Sequence, residues 1–189
     1  MPSEADLLAQ ARRFKADVLG QIYDRYSPAL YRYALRLLAQ PDLAEECVAE
    51  TFSRFLLALR RGGGPTEHLQ AYLYRVAHNW ITDQWRRQLP PPLELDTDLC
   101  AELPTEHGAD PAEAALQQAA AAQVRAALTC LTPDQRQVVM LKYLEDWENG
   151  DIAVALDKPV SAVKALQHRA LAALRRMLFK DGEELHEPA

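Results

Sequence analysis

Two short apolar stripes on either side of a tight break constrain the fold of this chain more than any other feature. The stripe residues are Ile152, Ala153 and Leu156 before the break, and Val163, Leu166 and Ala170 after it. Each stripe has helical spacing. The break needs a residue that tolerates left-handed backbone, and Asp157 stands at that position. The pattern predicts two helices that cross closely through a tight turn, as in a DNA-binding helix-turn-helix.

The second helix of this pair is then expected to turn a polar and basic face outward. The residues on or beside that face are Ser161, Lys164, Ala165, Gln167, His168 and Arg169. Such side chains can donate to guanine edges or to phosphate when a helix lies in a major groove. The same spacing also fits any amphipathic helical hairpin, so the pattern alone leaves both interpretations open.

Helical spacing also runs through the first part of the chain. Apolar residues recur at intervals of three and four from about Leu7 to Leu89. Pro28 and Pro41 are each expected to begin a helix, because proline is favoured in a first helical turn. The run Gly62-Gly63-Gly64-Pro65 should end one helix before another begins. No strand-like alternation competes, so the predicted fold class is all-α.

A proline-rich acidic segment divides the helical blocks. It contains Pro90-Pro91-Pro92 and overlaps a run, from Glu94 to Glu113, with acidic residues and no Lys or Arg. We predict two small helical domains joined by a flexible acidic linker. The predicted boundaries are a first domain at 1–89, the linker at 90–111, a helix-turn-helix domain at 112–180 and a tail at 181–189. Thr132, just before Pro133, should cap a helix in the second domain.

The charge is unevenly distributed, which bears on the partners of the chain. The net charge is −6, which argues against tight DNA binding by the chain alone, because phosphate neutralisation supplies most non-specific affinity. The segment 158–180 nevertheless holds basic residues and no acid. The first residues are too charged for a signal peptide and no apolar run could span a bilayer. We therefore expect a cytoplasmic protein that is not inserted in a membrane.

Nothing in the sequence predicts catalysis, a cofactor or a metal site. The histidines are scattered, and the glycine run lacks the Lys and Ser/Thr of a phosphate-binding loop. Cys47, Cys100 and Cys130 are odd in number and far apart, so we expect buried or incidental thiols rather than a disulfide framework.

The ordered segments resemble a known family, the extracytoplasmic-function (group IV) sigma factors of bacterial RNA polymerase. IYDRYSPALYRYALRLL, DLAEECVAETFSRFL and AYLYRVAHNWITDQWRR resemble successive parts of sigma region 2. LTPDQRQVVMLKYLEDWENGDIAVALDKPVSAVKALQHRALAALRRML resembles region 4. The resemblance covers most of the chain.

The resemblance implies roles for residues of the first domain. It places an acidic surface against core RNA polymerase, formed here by Asp42, Glu45, Glu46 and Glu50. It places a loop and a helix at the −10 promoter element, with the candidate contacts His68, Arg75, Asn79, Trp80, Asp83, Arg86 and Arg87. The loop at 62–68 corresponds to the family's specificity loop for an unstacked base. Trp80 is either a base-stacking residue or part of the core, and both interpretations stay open.

For the second domain, the resemblance assigns the outward face of the helix-turn-helix to the −35 element. The whole chain is then expected to be an initiation factor without catalysis of its own, monomeric when free, with core polymerase, promoter DNA and an anti-sigma protein as partners. The alternative is a stand-alone helix-turn-helix regulator, which would bind duplex DNA without polymerase, usually as a dimer.

Overall fold

The computed structural model describes residues 4–88 and 112–178, and within these ranges the chain forms α-helices and no strand. The first unit holds α1 (Glu4–Ala11), α2 (Ala16–Leu38), α3 (Pro41–Arg60) and α4 (Leu69–Gln88). The second unit holds α5 (Ala112–Thr129), α6 (Pro133–Tyr143), α7 (Asn149–Leu156) and α8 (Val160–Leu178). The predicted all-α class is confirmed. The predicted linker at 90–111 and the tail at 181–189 lie outside the described residues.

The first unit is a bundle in which α2, α3 and α4 pack against one another and α1 packs on α2. Its centre holds large side chains that are almost completely buried, among them Leu30, Tyr33, Phe55, Leu73 and Ile81. The amphipathic spacing of the three long helices brings these side chains to one interior, where apolar burial stabilises the bundle.

One helix boundary in the first unit differs from the prediction. Pro41 is the first residue of α3, as expected. Pro28 does not begin a helix: it lies inside α2, which runs unbroken over 23 residues. Proline removes one backbone donor and disfavours a helix interior. Here Tyr26 and Leu30 on either side of it are buried in the core, so tertiary packing holds the helix together across the proline.

The second unit is built around the helix-turn-helix. Thr132 caps α6 through a reciprocal pair of hydrogen bonds, in which its Oγ1 accepts from Gln135 N–H and Gln135 Oε1 accepts from Thr132 N–H. Helices α7 and α8 are joined at Asp157, which adopts left-handed backbone with φ 54° and ψ 49°. The predicted cap and the predicted left-handed turn residue are both confirmed.

The cysteines differ from one another in state. Cys47 is a free thiol buried in the first unit, and its burial raises its pKa to about 12. Cys130 is disulfide-bonded, so the expectation of thiols alone is wrong for this residue. Across 4–88 and 112–178, no helix is both long and apolar enough to cross a membrane. The side chains described there include no group of three or more His, Cys, Asp or Glu placed to hold a metal ion.

Candidate nucleic-acid interface

Helix α8 presents the predicted outward face to solvent. Val163, Leu166 and Ala170 are buried against the rest of the second unit. The exposed residues of the predicted set are Ser161, Lys164, Ala165, His168 and Arg169. Lys164 and Arg169 put two cations on this face and Arg175 and Arg176 extend the basic surface along the last turn, so the helix can meet the negative potential of a DNA groove.

Gln167 behaves differently from its neighbours on α8. It is half-buried, and its Nε2 donates to the Tyr143 hydroxyl oxygen across 2.7 Å. This bond ties α8 to the last residue of α6. The start of α8 is fixed by the carbonyl of Pro159, which accepts from Ala162 N–H at 2.9 Å and from Val163 N–H at 3.2 Å. The turn therefore supports a helix that begins at Val160 although Pro159 offers no capping side chain.

Helix α4 carries three different faces. The first faces the core of the first unit through Leu69, Leu73 and Ile81. A second, exposed or half-exposed face is formed by most of the predicted −10 residues: Arg75, Asn79, Asp83 and Arg86, with Arg87 beside them. Their spacing of four, four and three residues keeps them on one side of the helix. They can therefore contact one strand of nucleic acid together.

Contacts within this exposed face order some of its side chains. Arg86 and Asp83 form an ion pair at 3.7 Å, and both are well exposed. The guanidinium of Arg75 lies over the Tyr72 ring at 5.7 Å from its centroid. Asn79 is exposed and has no hydrogen bond from its side chain to the described residues. Its amide is thus available to a base edge or to the backbone.

Trp80 does not belong to the exposed face. It is only 5% exposed, so the structure favours the core interpretation of this residue over base stacking. Trp85 is also buried. Sequence reasoning could not separate these outcomes, because an aromatic residue among basic residues on a helix suits both roles.

His68 closes the loop that precedes α4. It is exposed, and its φ of 54° is unusual for a residue other than glycine. Gly62 and Gly64 in the same loop also have positive φ, at 77° and 82°. A Cβ on Gly64 would lie 3.2 Å from a methyl of Leu59, so glycine suits this position both in conformation and in space.

The acidic surface on α3 has the predicted form. Asp42, Glu45 and Glu46 are exposed, while Val48 and Phe52 are buried on the opposite side. Glu50 accepts from Arg54 Nε at 2.7 Å within the same helix. That ion pair reduces the negative potential at Glu50, so the surface is most acidic near the start of α3.

Sequence reasoning missed a contact between the two units, through the third face of α4. Its residues are Tyr74, His78, Thr82 and Trp85, which follow one another at helical spacing. Opposite them lie α6 and α7. Glu145, just after α6, accepts from Arg36 Nη1 and from the Tyr74 hydroxyl, each at 2.8 Å. Tyr74 also packs against Trp147 in a tilted arrangement, with ring centroids 5.0 Å apart and an interplanar angle of 57°.

Deeper in the same contact, both ring nitrogens of His78 are hydrogen-bonded, one to the second unit and one within the first. Nε2 lies 3.0 Å from the Pro133 carbonyl oxygen, which can only accept, so Nε2 carries the proton. Nδ1 therefore accepts from the Tyr33 hydroxyl at 2.7 Å. Burial, and then the positive charge of Arg136, lower the pKa of His78 to about 3, so the ring is neutral at physiological pH.

Arg136 is the cation beside this histidine, and it is 5% exposed. Its guanidinium lies 4.1 Å from the centroid of the Trp85 ring. It donates to carbonyls at the end of α5 and just after it, those of Leu128, Thr129 and Leu131, at 2.7 to 3.0 Å. Burial lowers its pKa to about 10, which still leaves it charged. No motif signals this contact, because it pairs residues that are distant in sequence.

Comparisons with known proteins agree with this architecture. Residues 22–89 match the Sigma-70 region 2 family, and residues 121–174 match the Sigma-70 region 4 family. The ECF RNA polymerase sigma factor SigL of Mycobacterium tuberculosis is 31% identical over 168 residues, which cover 89% of this chain and 93% of SigL. The ECF RNA polymerase sigma factor BldN of Streptomyces coelicolor is 31% identical over 179 residues, covering 93% of this chain and 66% of BldN.

A solved structure shares the fold. CnrH in complex with the cytosolic domain of CnrY matches with a TM-score of 0.66 at 22% identity, covering 95% of this chain and 99% of that one. At this identity the match bears on the fold alone.

Proposed function

The chain belongs to the extracytoplasmic-function (ECF) family of RNA polymerase sigma factors, and from this premise we propose how it acts at a promoter. As a transcription initiation factor it has no catalysis of its own. It binds core RNA polymerase and directs it to DNA, with α8 at the −35 element and the exposed face of α4 at the −10 element. The observation that carries this proposal is the presence, on one chain and in this order, of both sigma regions with exposed polar faces on these two helices.

In this proposal the −35 element is read as duplex. Ser161, Lys164, Ala165, Gln167, His168 and Arg169 supply the contacts, and Lys164 is the side chain suited to guanine edges. Gln167 Nε2 already donates to the Tyr143 hydroxyl oxygen. Gln167 therefore contacts DNA through its Oε1 and its second N–H, or after the bond to Tyr143 has been replaced by a bond to DNA. Arg175 and Arg176 hold phosphates, which fix the helix on the duplex without reading sequence.

The −10 element is held as an opened strand. Asn79 contacts a base or the backbone, while Arg75, Arg86 and Arg87 neutralise phosphates. The loop that ends at His68 lies against the unstacked base, because its glycines allow close approach. Asp83 orients Arg86 through their ion pair. Trp80 supports this helix from within the core.

The protein partners follow from the charged surfaces and from the relatives. The docking surface for polymerase is formed by Asp42, Glu45, Glu46 and Glu50. Electrostatic attraction between this acidic surface and a basic surface on polymerase would favour correctly oriented encounters. Since the CnrH structure is a complex with the cytosolic domain of CnrY, we include an anti-sigma protein among the partners. The site of action is the cytoplasm, where bacterial polymerase works, and the free chain is a monomer.

The test is run-off transcription with bacterial core RNA polymerase on fragmented genomic DNA of the source organism. Discrete transcripts that need both the polymerase and this chain are expected, and their start sites would define the two promoter elements. Specific duplex binding by the chain alone, without any polymerase-dependent transcript, would instead support a stand-alone regulator and overturn the proposal.

A further inference from the structure

The segment formed by α1 and Arg12 hydrogen-bonds at two points to the connection between α3 and α4, the loop at 62–68 and the first residue of α4. Arg12, just after α1, donates from Nη1 to the Gly63 carbonyl at 3.0 Å, and from Nη2 to the Gly64 and Pro65 carbonyls at 3.3 and 3.1 Å. At the other end of α1, the Glu4 carboxylate accepts from the Leu69 N–H. Leu69 is the first residue of α4. The α1 segment therefore binds both the middle of the loop and the point where the loop becomes helix.

The loop has few restraints of its own. The N–H groups of Gly62 and Gly63 bond back to the carbonyls of Leu59 and Ala58, at 3.0 and 2.9 Å. These bonds fix only the start of the loop. Consecutive glycines have many accessible backbone conformations, so without further contacts the middle would sample several of them. The three carbonyl bonds to Arg12 act at that middle part.

Arginine is well suited to this task. Its guanidinium is planar, stays charged, and presents several donors in a fixed geometry, so one side chain can hold three carbonyls in one arrangement. Arg12 is half-buried, and its bonds to the Gly64 and Pro65 carbonyls are partly shielded from competition with water. The side chains that follow the bound carbonyls, Thr66, Glu67 and His68, are all exposed. The loop is thus held through its backbone while these side chains remain free to contact a ligand.

We propose that Arg12 is a positioning residue for base discrimination at the −10 element. By fixing the carbonyls of 63–65, Arg12 holds the loop in one conformation, so that the exposed side chains at 66–68 meet the unstacked base in a constant geometry. Recognition that depends on hydrogen bonds loses selectivity when the site can rearrange around a wrong base. This inference rests on the proposed function, in which that loop lies against the base.

The experiment uses holoenzyme made from core polymerase and the full chain, on a promoter identified by the run-off assay. The base contacted by the loop is varied to all four identities, and initiation is measured for each. For Arg12→Ala we expect the preference for the best base over the others to fall roughly tenfold, as expected for the loss of charge-assisted hydrogen bonds. Dependence on the −35 sequence should not change.

Two further variants make the comparison specific. Arg13→Ala removes the same charge from the next residue, which is exposed and has no side-chain hydrogen bond to the described residues; its base preference should equal that of the unaltered chain. Arg12→Lys keeps a cation able to reach part of the carbonyl set, so its preference should be intermediate.

Two results would overturn the proposal: an unchanged base preference in Arg12→Ala, or a reduction by one common factor on all four templates, which would indicate a general structural role. If thermal melting shows that Arg12→Ala does not fold, Arg12→Lys decides between the outcomes, since an unchanged base preference in that folded variant would refute the proposal. Failure of the proposed function would appear differently, as absence of transcripts with the unaltered chain.

Discussion

The imidazole of His78 illustrates how strongly one residue here depends on its surroundings. It is buried between Tyr33 and the Pro133 carbonyl, with Arg136 nearby. Its pKa is about 3 in the folded chain, against about 6.5 for an unperturbed histidine. Between about pH 3 and about pH 6.5, His78 is therefore protonated in the unfolded chain and neutral in the folded chain.

This pKa shift predicts a pH dependence of stability. The contribution of neutral His78 to the free energy of unfolding is fully present above about pH 6.5. It is lost as the pH falls toward 3, because protonation then favours the unfolded chain. At pH 5 the loss should be about 2 kcal/mol. Thermal melts between pH 5 and 7.5 would measure it. In His78→Gln, which cannot take up a proton, this part of the slope should vanish; an equal slope in both proteins would contradict the assignment.

Asn79 lies on the exposed face of α4 that is proposed to meet the −10 element. Its side chain is exposed on α4 and has no hydrogen bond to the residues that the structure describes, so Asn79→Ala should leave folding unchanged while removing the proposed contact to the opened −10 strand. We expect promoter opening, followed by permanganate reactivity of unpaired thymines, to fall about tenfold, a loss typical of one good polar contact. Binding to −35 duplex should be affected little.

The matched control for Asn79 is Gln70→Ala. Gln70 is also an exposed amide on α4, but it lies on the stripe that continues toward Tyr74 rather than on the −10 face. Normal opening by this variant, beside reduced opening by Asn79→Ala, would support the face assignment. Equal losses in the two variants would count against it.

At the scale of single elements, α8 combines two kinds of basic residue. Lys164 lies among the side chains proposed to read bases, whereas Arg175 lies in the last turn and suits phosphate contacts. Lys164→Ala should therefore reduce the difference in initiation between a consensus and a scrambled −35 element. Arg175→Ala should weaken binding to both templates about equally and reduce the salt slope of binding by about one. If Lys164→Ala also lost activity equally on both templates, its role would be phosphate binding.

Local elements also show where sequence patterns suffice. The cap at Thr132 and the left-handed Asp157 were predictable, since each depends on a few neighbouring residues. The uninterrupted helix through Pro28 was not predictable, because proline is favoured in the first turn of a helix and therefore indicates a helix start. Packing against the rest of the bundle decided that case.

For the whole molecule, the proposed function requires α8 and α4 to reach two promoter elements at once, and the contact between the units would oppose this. Helix α8 packs on α7, and α7 packs on α4. Two successive helix contacts of about 8–10 Å each put α8 within about 20 Å of α4. Elements centred near positions −35 and −10 lie about 25 base pairs apart, on the order of 85 Å at roughly 34 Å per turn. Under the proposed function, we therefore expect the two units to separate when the chain binds a promoter.

The contact contains features that favour separation. Thr82 Oγ1 and Arg136 Nη1 are buried without a hydrogen-bond partner among the described residues, and such groups carry a desolvation cost. The hydrogen bonds of Glu145 to Arg36 and Tyr74 stabilise the contact and offset this desolvation cost. Arg36 is 44% exposed, so solvent screens this ion pair and its stabilisation is modest.

We predict that Glu145→Ala shifts the free chain toward an extended form. The variant removes the acceptor for both bonds, so its radius of gyration in small-angle X-ray scattering should rise by several ångströms from that of the unaltered chain. Glu148→Ala is the control, because Glu148 is exposed and pairs with Lys142 within the second unit. A radius unchanged in Glu145→Ala, or raised equally in both variants, would contradict a closing role for Glu145.

Local residue patterns specify the helical class, the helix-turn-helix with its cap and turn, and the exposed faces of α4 and α8. These features depend on periodicity and on residue preferences within short windows, which can be read without knowing the fold. The burial of Trp80, the hydrogen bonds of Arg12 to the loop and the contact of Glu145 with Arg36 all depend on the tertiary structure. The last two pairings join residues 51 and 109 positions apart. Such contacts depend on how helices pack in space, and no local pattern specifies that packing.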